Sequence, residues 1–366
     1  MIYFLINNNY HLDFDLKLAK QLDRNELGLI QVPYSLNVIN ESQVFSKIHC
    51  FPNKINLSLQ DPFRILSIQK EVNHVLNPEC TDILLVHTDM DLLNQYIIQL
   101  FHRVSAKIYL LEDGTATMCT YNIIPDKASL KNRFKMFVLR HLYKYKYTKI
   151  GLYGVETIPR MDDSLFSGVI VNFGNSILRD IPLYKVNNED ESIEILHEKG
   201  AVFFNSALYL FYSSEDDYIE FLIEIFKISY RFTPFYFKFH PSDTDSFKRS
   251  IVKIIEERFR NIIVIQDNDP AENIVTKYPM RYAISINSTA AMNIINKGII
   301  PIFLNSFYNN TFTDPSFIAF SQFLKSINCY EPVYLSEVKP GFCAFHQTIN
   351  KADTNSLTEI LNLRCK

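Results

Sequence analysis

The alternation of short apolar runs with helical patterns constrains the fold of this chain more than any other feature. Four runs in the first half, MIYFLIN, LGLIQV, DILLVH and AKIYLLE, are almost continuously apolar, as is typical of parallel strands that are covered on both faces. KIGLYG and SGVIVNF continue the series, and helical stretches such as 92–103 lie between the strands. Strands that alternate with helices predict an α/β protein built on parallel sheets.

A polar, acidic stretch at 185–200, KVNNEDESIEILHEKG, interrupts this alternation and is the predicted linker. Beyond it the pattern restarts with AVFFNSALY, FYFKFH, NIIVIQ, RYAISIN and IIPIFLN. A chain of 366 residues exceeds what one core usually accommodates. We therefore predict two Rossmann-like domains, 1–190 and 198–345, with a cleft between them. A final helix within 346–366 is predicted to return to the first domain.

Composition and charge exclude several classes of protein. The net charge of −3 does not favour a nucleic-acid partner. No apolar stretch approaches the roughly 18 residues of a spanning helix, and the start of the chain lacks the basic region of a signal peptide. The six cysteines lie far apart and form no CxxC pair, so neither a zinc site nor a disulfide framework is indicated. These features predict a cytoplasmic protein.

One segment differs from the rest of the chain. Residues 127–149, KASLKNRFKMFVLRHLYKYKYTK, are strongly basic and carry apolar side chains among the charges. Two interpretations are open. The segment is either a solvated helix that packs its apolar side on its own domain, or a basic amphipathic helix that contacts an anionic membrane surface.

A first candidate site follows the aromatic strand FYFKFH in the second half. Lys238 and His240 lie at its carboxyl end, and Pro241 prevents further strand pairing. Ligands of open α/β sheets bind beyond the carboxyl ends of strands, and two cationic side chains there suit a phosphate. The alternative is that His240 makes only a structural hydrogen bond.

Two further features in the second half suit a nucleotide. Ser288 and Thr289 follow a strand and open a predicted helix, 289–297, whose N-terminus can bind an anion; the same residues are also common helix caps. Glu272 lies in the first turn of a helix that Pro270 begins. A carboxylate there can accept both hydroxyls of a ribose, although acidic residues also favour first turns for dipole reasons.

In the first half, Glu112-Asp113-Gly114 ends the apolar strand AKIYLLE. Adjacent carboxylates at a strand end can project into the cleft, and a carboxylate is a suitable general base for a sugar hydroxyl. The alternative is an ordinary acidic turn in which Gly114 takes the left-handed position.

Taken together, these motifs resemble those of bacterial sialyltransferases, which share a D/E-D/E-G motif, an HP motif and a later S-S/T motif. Here they are Glu112-Asp113-Gly114, His240-Pro241 and Ser288-Thr289. The resemblance implies a GT-B fold and CMP-sialic acid as donor. It also implies that His240, Ser288 and Thr289 hold the donor phosphate, that Lys238 lies near the nucleotide and that Glu272 binds the ribose.

The resemblance leaves the general base open. YSSEDDYIEFLIEIFK, at 212–227, resembles the loop and helix of lipooligosaccharide sialyltransferases, in which an aspartate shortly before the HP motif is catalytic. Asp216 or Asp217 is therefore the alternative to Glu112 or Asp113. Their structural interpretation is an acidic first helical turn.

Two pairs match the DxD motif of metal-dependent transferases: Asp89 with Asp91, and Asp243 with Asp245. Both lie where helices are predicted to begin, and aspartate caps helices well. We assign no metal ligands and predict activity without a metal or other cofactor, since a CMP-sugar carries one phosphate.

The sequence thus predicts an inverting sialyltransferase that acts on a terminal galactose-type hydroxyl of a bacterial surface glycan. The alternatives are a transferase of another CMP-activated acid sugar, such as Kdo or the growing end of polysialic acid, and a non-catalytic scaffold in polysaccharide assembly. The linkage and the acceptor stay open.

Overall fold

The computed structural model describes residues 1–22, 26–32, 44–51, 62–112, 122–123, 130–153, 156–171, 181–185, 194–210, 213–267, 269–311 and 315–344. Seven parallel strands form the first sheet, in the order β10-β9-β5-β4-β1-β2-β3. They are β1 Ile2–Ile6, β2 Leu27–Gln31, β3 Lys47–Cys50, β4 Ile83–Val86, β5 Lys107–Leu111, β9 Gly168–Val171 and β10 Leu183–Lys185. Their helices are α1 Asn9–Gln21, α2 Pro62–Val75 and α3 Leu92–Arg103.

Both faces of this sheet are buried along its inner strands. Along β1, Ile2, Phe4 and Ile6 pack into one core, whereas Tyr3 and Leu5 pack into the other. Because successive side chains of a strand point to opposite faces, a sheet covered on both sides requires continuously apolar strands. This requirement explains the apolar runs of the first half.

KIGLYG does not continue the parallel series, and that expectation was wrong. A separate antiparallel sheet contains β6 Asn122–Ile123, β7 Thr148–Tyr153 and β8 Glu156–Met161. Only two residues separate β7 from β8, and a parallel pair needs a crossover of a dozen or more. This small sheet packs beside α4, Leu130–His141.

The second sheet has five parallel strands in the order β13-β12-β11-β14-β15. They are β11 Ala201–Phe204, β12 Phe235–Lys238, β13 Ile262–Ile265, β14 Tyr282–Ser285 and β15 Ile300–Phe303. The helices are α5 Glu215–Phe226, α6 Asp245–Arg258, α7 Ala271–Lys277, α8 Thr289–Asn293, α9 Asn305–Thr311 and α10 Pro315–Ser326. The strand order reverses between β11 and β14, as in doubly wound nucleotide-binding sheets.

Two parallel α/β sheets in succession confirm the predicted fold class, α/β with two Rossmann-like units as in GT-B proteins. The strands of the first sheet come from 2–185 and those of the second from 201–303. The domain boundaries stay a prediction, and the predicted C-terminal helix within 346–366 lies outside the described residues. Within the described part of the chain, no helix is long and apolar enough to cross a membrane.

Candidate active site

Lys238 is the last residue of β12, and its side chain is largely enclosed. The residue is only 7% exposed, and its ammonium makes a long contact of 3.5 Å with the carbonyl of Phe239. Burial lowers the pKa of Lys238, and the nearby carboxylates of Asp269 and Asp267 oppose that shift. A buried cation with a weak hydrogen bond can gain stability from an anionic ligand, because burial costs a charge much of its hydration.

His240 lies two residues beyond the strand, in a tight turn that Pro241 continues. Its Nδ1 accepts a hydrogen bond from the backbone N–H of Ser242 at 3.1 Å. Burial lowers the pKa of His240, and the positive charge of Lys238 lowers it further. Since Nδ1 accepts a bond, the proton of the neutral ring lies on Nε2, where it can be donated to a ligand.

Asp243 fixes this turn, a role that the sequence did not reveal. One of its oxygens, Oδ2, accepts from the backbone N–H of His240 at 2.7 Å and from the amide of Asn205 at 2.8 Å. The side-chain oxygen of Asn205 accepts in turn from the hydroxyl of Tyr218 at 2.7 Å. The turn is therefore tied to β11 and to the first turns of α5. Burial raises the pKa of Asp243, and the hydrogen bonds from Asn205 and from the His240 backbone oppose that shift.

The expectation that Asp243 or Asp245 caps a helix was wrong. Thr244 is the N-cap of α6, and its side chain accepts from the N–H of Phe247. Asp245 lies in the first turn, and Asp243 is turned back to the His240 loop. A threonine between two aspartates competes for the same cap, so local sequence alone does not choose among them.

Ser288 opens a helix as predicted, but the helix is short. Its hydroxyl accepts from the N–H of Ala290 at 3.2 Å, and α8 ends at Asn293 instead of extending regularly to Lys297. A 3-10 turn follows at Ile295–Lys297 and stops at Gly298, which has a positive φ of 79°. Because Thr289 begins a helix of five residues, its dipole contributes less to anion binding than the predicted helix would.

Glu272 lies in the first turn of α7, as predicted. Burial raises its pKa, and its own backbone N–H, Asn293 of α8, Lys17 and Lys297 oppose that shift. Asn293 places Glu272 beside the helix that Ser288 opens. Lys17 belongs to α1 of the first unit, so a cation of the first unit also contributes to the electrostatics of Glu272.

Two hydroxyls at the reversal of strand order were also missed. Ser206 lies two residues after β11, and Ser285 ends β14. Both hydroxyl oxygens are buried, and neither has a hydrogen-bond partner among the described residues. The only sequence signal for them is a polar residue directly at the end of an apolar run, in AVFFNSALY and RYAISIN.

Glu112 follows β5 in the first sheet and is only 1% exposed. Its N–H donates to the carbonyl of Ile170 at 3.0 Å, and its own carbonyl lies 3.0 Å from Nδ1 of His87. Asp113 and Gly114 lie outside the described residues. The structure thus encloses Glu112 at the carboxyl edge of the first sheet, while the role of base stays a prediction.

Asp216 and Asp217 lie in the first turn of α5 and are exposed. Ser214 caps this helix: its hydroxyl accepts from the N–H of Asp217 at 3.1 Å and donates to the Asp217 carboxylate at 2.6 Å. This reciprocal pair is a capping arrangement, so Asp217 has an evident structural role. Tyr218, the next residue, connects the helix to the His240 turn through Asn205.

Asp89 and Asp91 have structural partners. Arg160 forms an ion pair with Asp89 at 3.0 Å, and the N–H of Met161 donates to the same carboxylate at 2.9 Å. Asp91 caps α3. Across the residues that the structure describes, no group of three or more His, Cys, Asp or Glu side chains is placed to hold a metal ion.

The similarity of this chain to known proteins is one of fold. No protein-family model matches it, and no curated protein does. A putative UDP-N-acetylglucosamine 2-epimerase from Listeria monocytogenes is 10% identical, with 83% of this chain and 78% of that chain covered and a TM-score of 0.49. Acinetobacter baumannii MurG is 10% identical, with 99% of this chain and 88% of that chain covered and a TM-score of 0.43. The Neisseria meningitidis UDP-GlcNAc 2-epimerase bound to UDP-GlcNAc is 10% identical, with 83% of this chain and 82% of that chain covered and a TM-score of 0.44. A likeness at this level does not extend to the activity.

Proposed function

We propose that this protein is an inverting sialyltransferase that uses CMP-sialic acid as donor. The observation that carries the proposal is the pair of hydrogen-bond donors at the end of β12, the ammonium of Lys238 and the imidazole of His240. Lys238 is enclosed with a lowered pKa, and His240 presents a neutral Nε2–H donor. The unpartnered hydroxyls of Ser206 and Ser285 and the cap residue Ser288 lie at neighbouring strand ends. Such a set suits a phosphate monoanion that leaves with a growing negative charge.

In the proposed reaction, the acceptor hydroxyl attacks the anomeric carbon of sialic acid from the face opposite to CMP. A carboxylate of the protein takes the hydroxyl proton, the new C–O bond forms, and the bond between the anomeric carbon and the phosphate oxygen breaks. CMP leaves with that electron pair. The charge that develops on its phosphate is met by His240 and Lys238, and Glu272 binds the ribose. The transition state has the oxocarbenium character of glycoside hydrolysis.

The first unit supplies the base in this proposal, as Glu112 or Asp113. The base and the phosphate site then belong to different sheets and lie on opposite sides of the anomeric carbon, as inversion requires. Asp216 or Asp217 is the alternative base, and the hydrogen bonds that connect α5 to the His240 turn keep that alternative open.

A donor panel tests the proposed function. The purified protein is incubated with a lactoside or a sialylated lactoside as acceptor and, in separate reactions, with CMP-sialic acid, CMP-Kdo or UDP-GlcNAc as donor. Release of the nucleotide is followed together with formation of the product. We expect acceptor-dependent release of CMP from CMP-sialic acid. Turnover of CMP-Kdo alone would assign a different acid sugar, and growth only on sialylated acceptors would assign chain elongation. Turnover of UDP-GlcNAc alone, or of no donor with any galactoside, would refute the proposal, and the last result would favour the scaffold.

We also propose that the basic segment at 127–149 contacts an anionic membrane surface. The segment has eight Lys and Arg residues and no Asp or Glu, in a chain whose net charge is −3. Leu139 of α4 is buried, whereas Phe134, Phe137 and Leu142 are 65%, 57% and 63% exposed. Exposed aromatic side chains among cations fit the boundary between anionic headgroups and acyl chains, and a solvated helix does not require them.

Sedimentation with vesicles tests this surface. We compare vesicles of phosphatidylcholine alone with vesicles that also contain phosphatidylglycerol, and we compare the wild type with a Phe134→Ser/Phe137→Ser variant. Burying a phenylalanine is worth about 1.5–3 kcal/mol, so the variant should bind anionic vesicles at least about 10-fold more weakly. Leu196→Ser, at an equally exposed position of 61%, is the control. Equal binding by both variants, or no preference for the anionic vesicles, would refute the membrane contact.

A further inference from the structure

The carboxyl edge of the first sheet contains a buried chain of hydrogen bonds between α1 and the end of β5. The strand order of this sheet reverses between β1 and β4, which is where open α/β sheets bind ligands. His87 follows β4 directly, and Asp15 lies in α1. The side chains of both residues have 0% exposure.

Both ring nitrogens of His87 face oxygen atoms. Nδ1 lies 3.0 Å from the carbonyl oxygen of Glu112, and Nε2 lies 3.0 Å from Oδ1 of Asp15. A carbonyl oxygen can only accept, so Nδ1 carries a proton. One more proton is shared between Nε2 and Asp15. The bond to Glu112 is therefore kept whether this pair is imidazolium with carboxylate or imidazole with carboxylic acid.

Packing fixes the direction of the His87 ring. His11 stacks on it at 4.1 Å with an angle of 5°, and Phe14 meets it edge-on at 5.4 Å. The Nδ1 of His11 accepts from the N–H of Asn7 at 3.2 Å. Asp15 and His11, both of α1, are the titratable side chains shown in contact with His87 among the described elements, and Glu112 faces it through its backbone carbonyl. A ring held between two aromatic neighbours cannot turn its Nδ1–H away from Glu112.

We propose that Asp15 and His87 are positioning residues for Glu112. The inference rests on the proposed function, in which Glu112 is one of the two candidate bases of the first unit. The carbonyl that His87 holds belongs to the planar peptide between Glu112 and Asp113. The N–H of Glu112 is held by Ile170 of β9. With the peptide groups on both sides of Glu112 held by hydrogen bonds, the main chain at Glu112 is fixed, and with it the origin of the Glu112 side chain.

Three variants separate positioning from a structural role. His87→Phe keeps a ring between its aromatic neighbours and removes the hydrogen bond to Glu112. His87→Asn retains a donor close to the position of Nδ1. Gln69→Met is the matched control, because Gln69 also donates from a buried side chain to a backbone carbonyl, that of Tyr143 at 3.0 Å. The readouts are kcat and KM for both substrates and amide hydrogen exchange of the peptide that contains Glu112.

We expect His87→Phe to lower kcat roughly 10-fold or more, since small displacements of a catalytic group have effects of that size. Its KM for the donor should stay within about two-fold, and exchange around Glu112 should accelerate. His87→Asn should recover most of the kcat even where it is the less stable variant, and Gln69→Met should change neither readout. Losses that follow stability alone, equal losses in His87→Phe and Gln69→Met, or unchanged exchange around Glu112 would overturn the inference.

The role of His87 can still be tested if the proposed function fails or if the His87→Phe variant does not fold. If the wild type turns over no CMP-sugar, the proposed function fails, and the exchange comparison still decides whether His87 holds the strand end. If His87→Phe does not fold, ¹⁵N-histidine NMR of the wild type decides instead. We expect Nδ1 of His87 to be protonated at every pH from about 6 to 8. An unprotonated Nδ1 would overturn the hydrogen bond on which the inference depends.

Discussion

Replacement of His240 by alanine is the most direct test of the phosphate site. The imidazole makes one hydrogen bond within the turn, from the N–H of Ser242 at 3.1 Å. In the variant that N–H can bond to water, so the loss of stability should be about 0.5–1 kcal/mol. The Asp243 oxygen that holds the His240 backbone is unaffected by the change of side chain. The turn should therefore keep its shape, and folded protein should be available for assay.

The effect on catalysis should be much larger than the effect on stability. Removal of one group that stabilises the leaving phosphate typically lowers kcat by about 10²-fold or more, which corresponds to roughly 2.7 kcal/mol of transition-state stabilisation. The assay is the release of CMP from CMP-sialic acid at saturating donor and acceptor, with the folded fraction measured by circular dichroism.

Two further variants make this result interpretable. His197→Ala removes an exposed histidine of the predicted linker, shortly before the second unit, and should leave kcat unchanged. His240→Gln restores a neutral N–H donor, so it should recover part of the lost activity if the ring acts as the hydrogen-bond donor that its lowered pKa implies. Near-normal turnover by folded His240→Ala protein would refute the assignment of His240 to the phosphate.

Three other predictions concern the metal, the base and pH. Activity should persist in excess EDTA, and a complete loss of activity that Mg²⁺ restores would contradict this. Asp89→Asn breaks a buried ion pair with Arg160, so it should lower the free energy of unfolding by about 3–5 kcal/mol. It should not make turnover depend on Mg²⁺. A general base raises the rate of the chemical step by about 10²- to 10⁴-fold, so replacing the base by its amide should lower kcat by that factor. The four substitutions to compare are Glu112→Gln, Asp113→Asn, Asp216→Asn and Asp217→Asn. We expect the large loss at Glu112 or Asp113, and a loss confined to Asp216 or Asp217 would reverse the assignment. The pKa of His240 is lowered from its ordinary value of 6.5, so its contribution to stability is complete above that pH and is lost as the pH falls below it. In urea unfolding, the free energy of unfolding of His240→Gln should therefore decrease less between pH 7 and pH 5 than that of the wild type. An equal decrease would contradict this.

The features that could be predicted from the sequence are those determined by residues that are close together along the chain. The inner strands of both sheets were evident because burial on both faces demands apolar residues at every position, as in β1 and β12. The edge strands β3 and β10 of the first sheet were not predicted, and β3 is not fully buried. Ser288 at a helix start and Glu272 in a first turn follow from the chemistry of helix termini. Lys238 and His240 stood out because a charged side chain at the end of an apolar strand adds nothing to the core that the strand builds.

What the sequence did not reveal depends on partners that are distant along the chain. Asp243 holds an amide that lies 38 residues away, and His87 meets a carboxylate 72 residues away. In neither pair does the local sequence around one residue indicate which distant residue it contacts. The antiparallel pairing of β7 was missed for a similar reason, since an apolar run alone does not specify which edge it joins.

The carboxyl edges of the two sheets carry different groups, which bears on how the two units would share the proposed reaction. The second sheet has the Lys238 ammonium and the neutral imidazole of His240 at the end of β12, and the hydroxyls of Ser206 and Ser285 at the ends of the neighbouring strands. At the first sheet, His87 faces the backbone carbonyl of Glu112 and is itself paired with Asp15. Inversion requires that the proton acceptor and the leaving phosphate lie on opposite faces of the anomeric carbon. Two units whose carboxyl edges face each other would satisfy this condition without any residue serving both roles. Lys17 of α1 is one of the cations that oppose the raised pKa of Glu272 in α7. If the base instead lay on α5, the acid and the phosphate site would share one sheet, and the buried pair at the edge of the other sheet would have no role in the transfer.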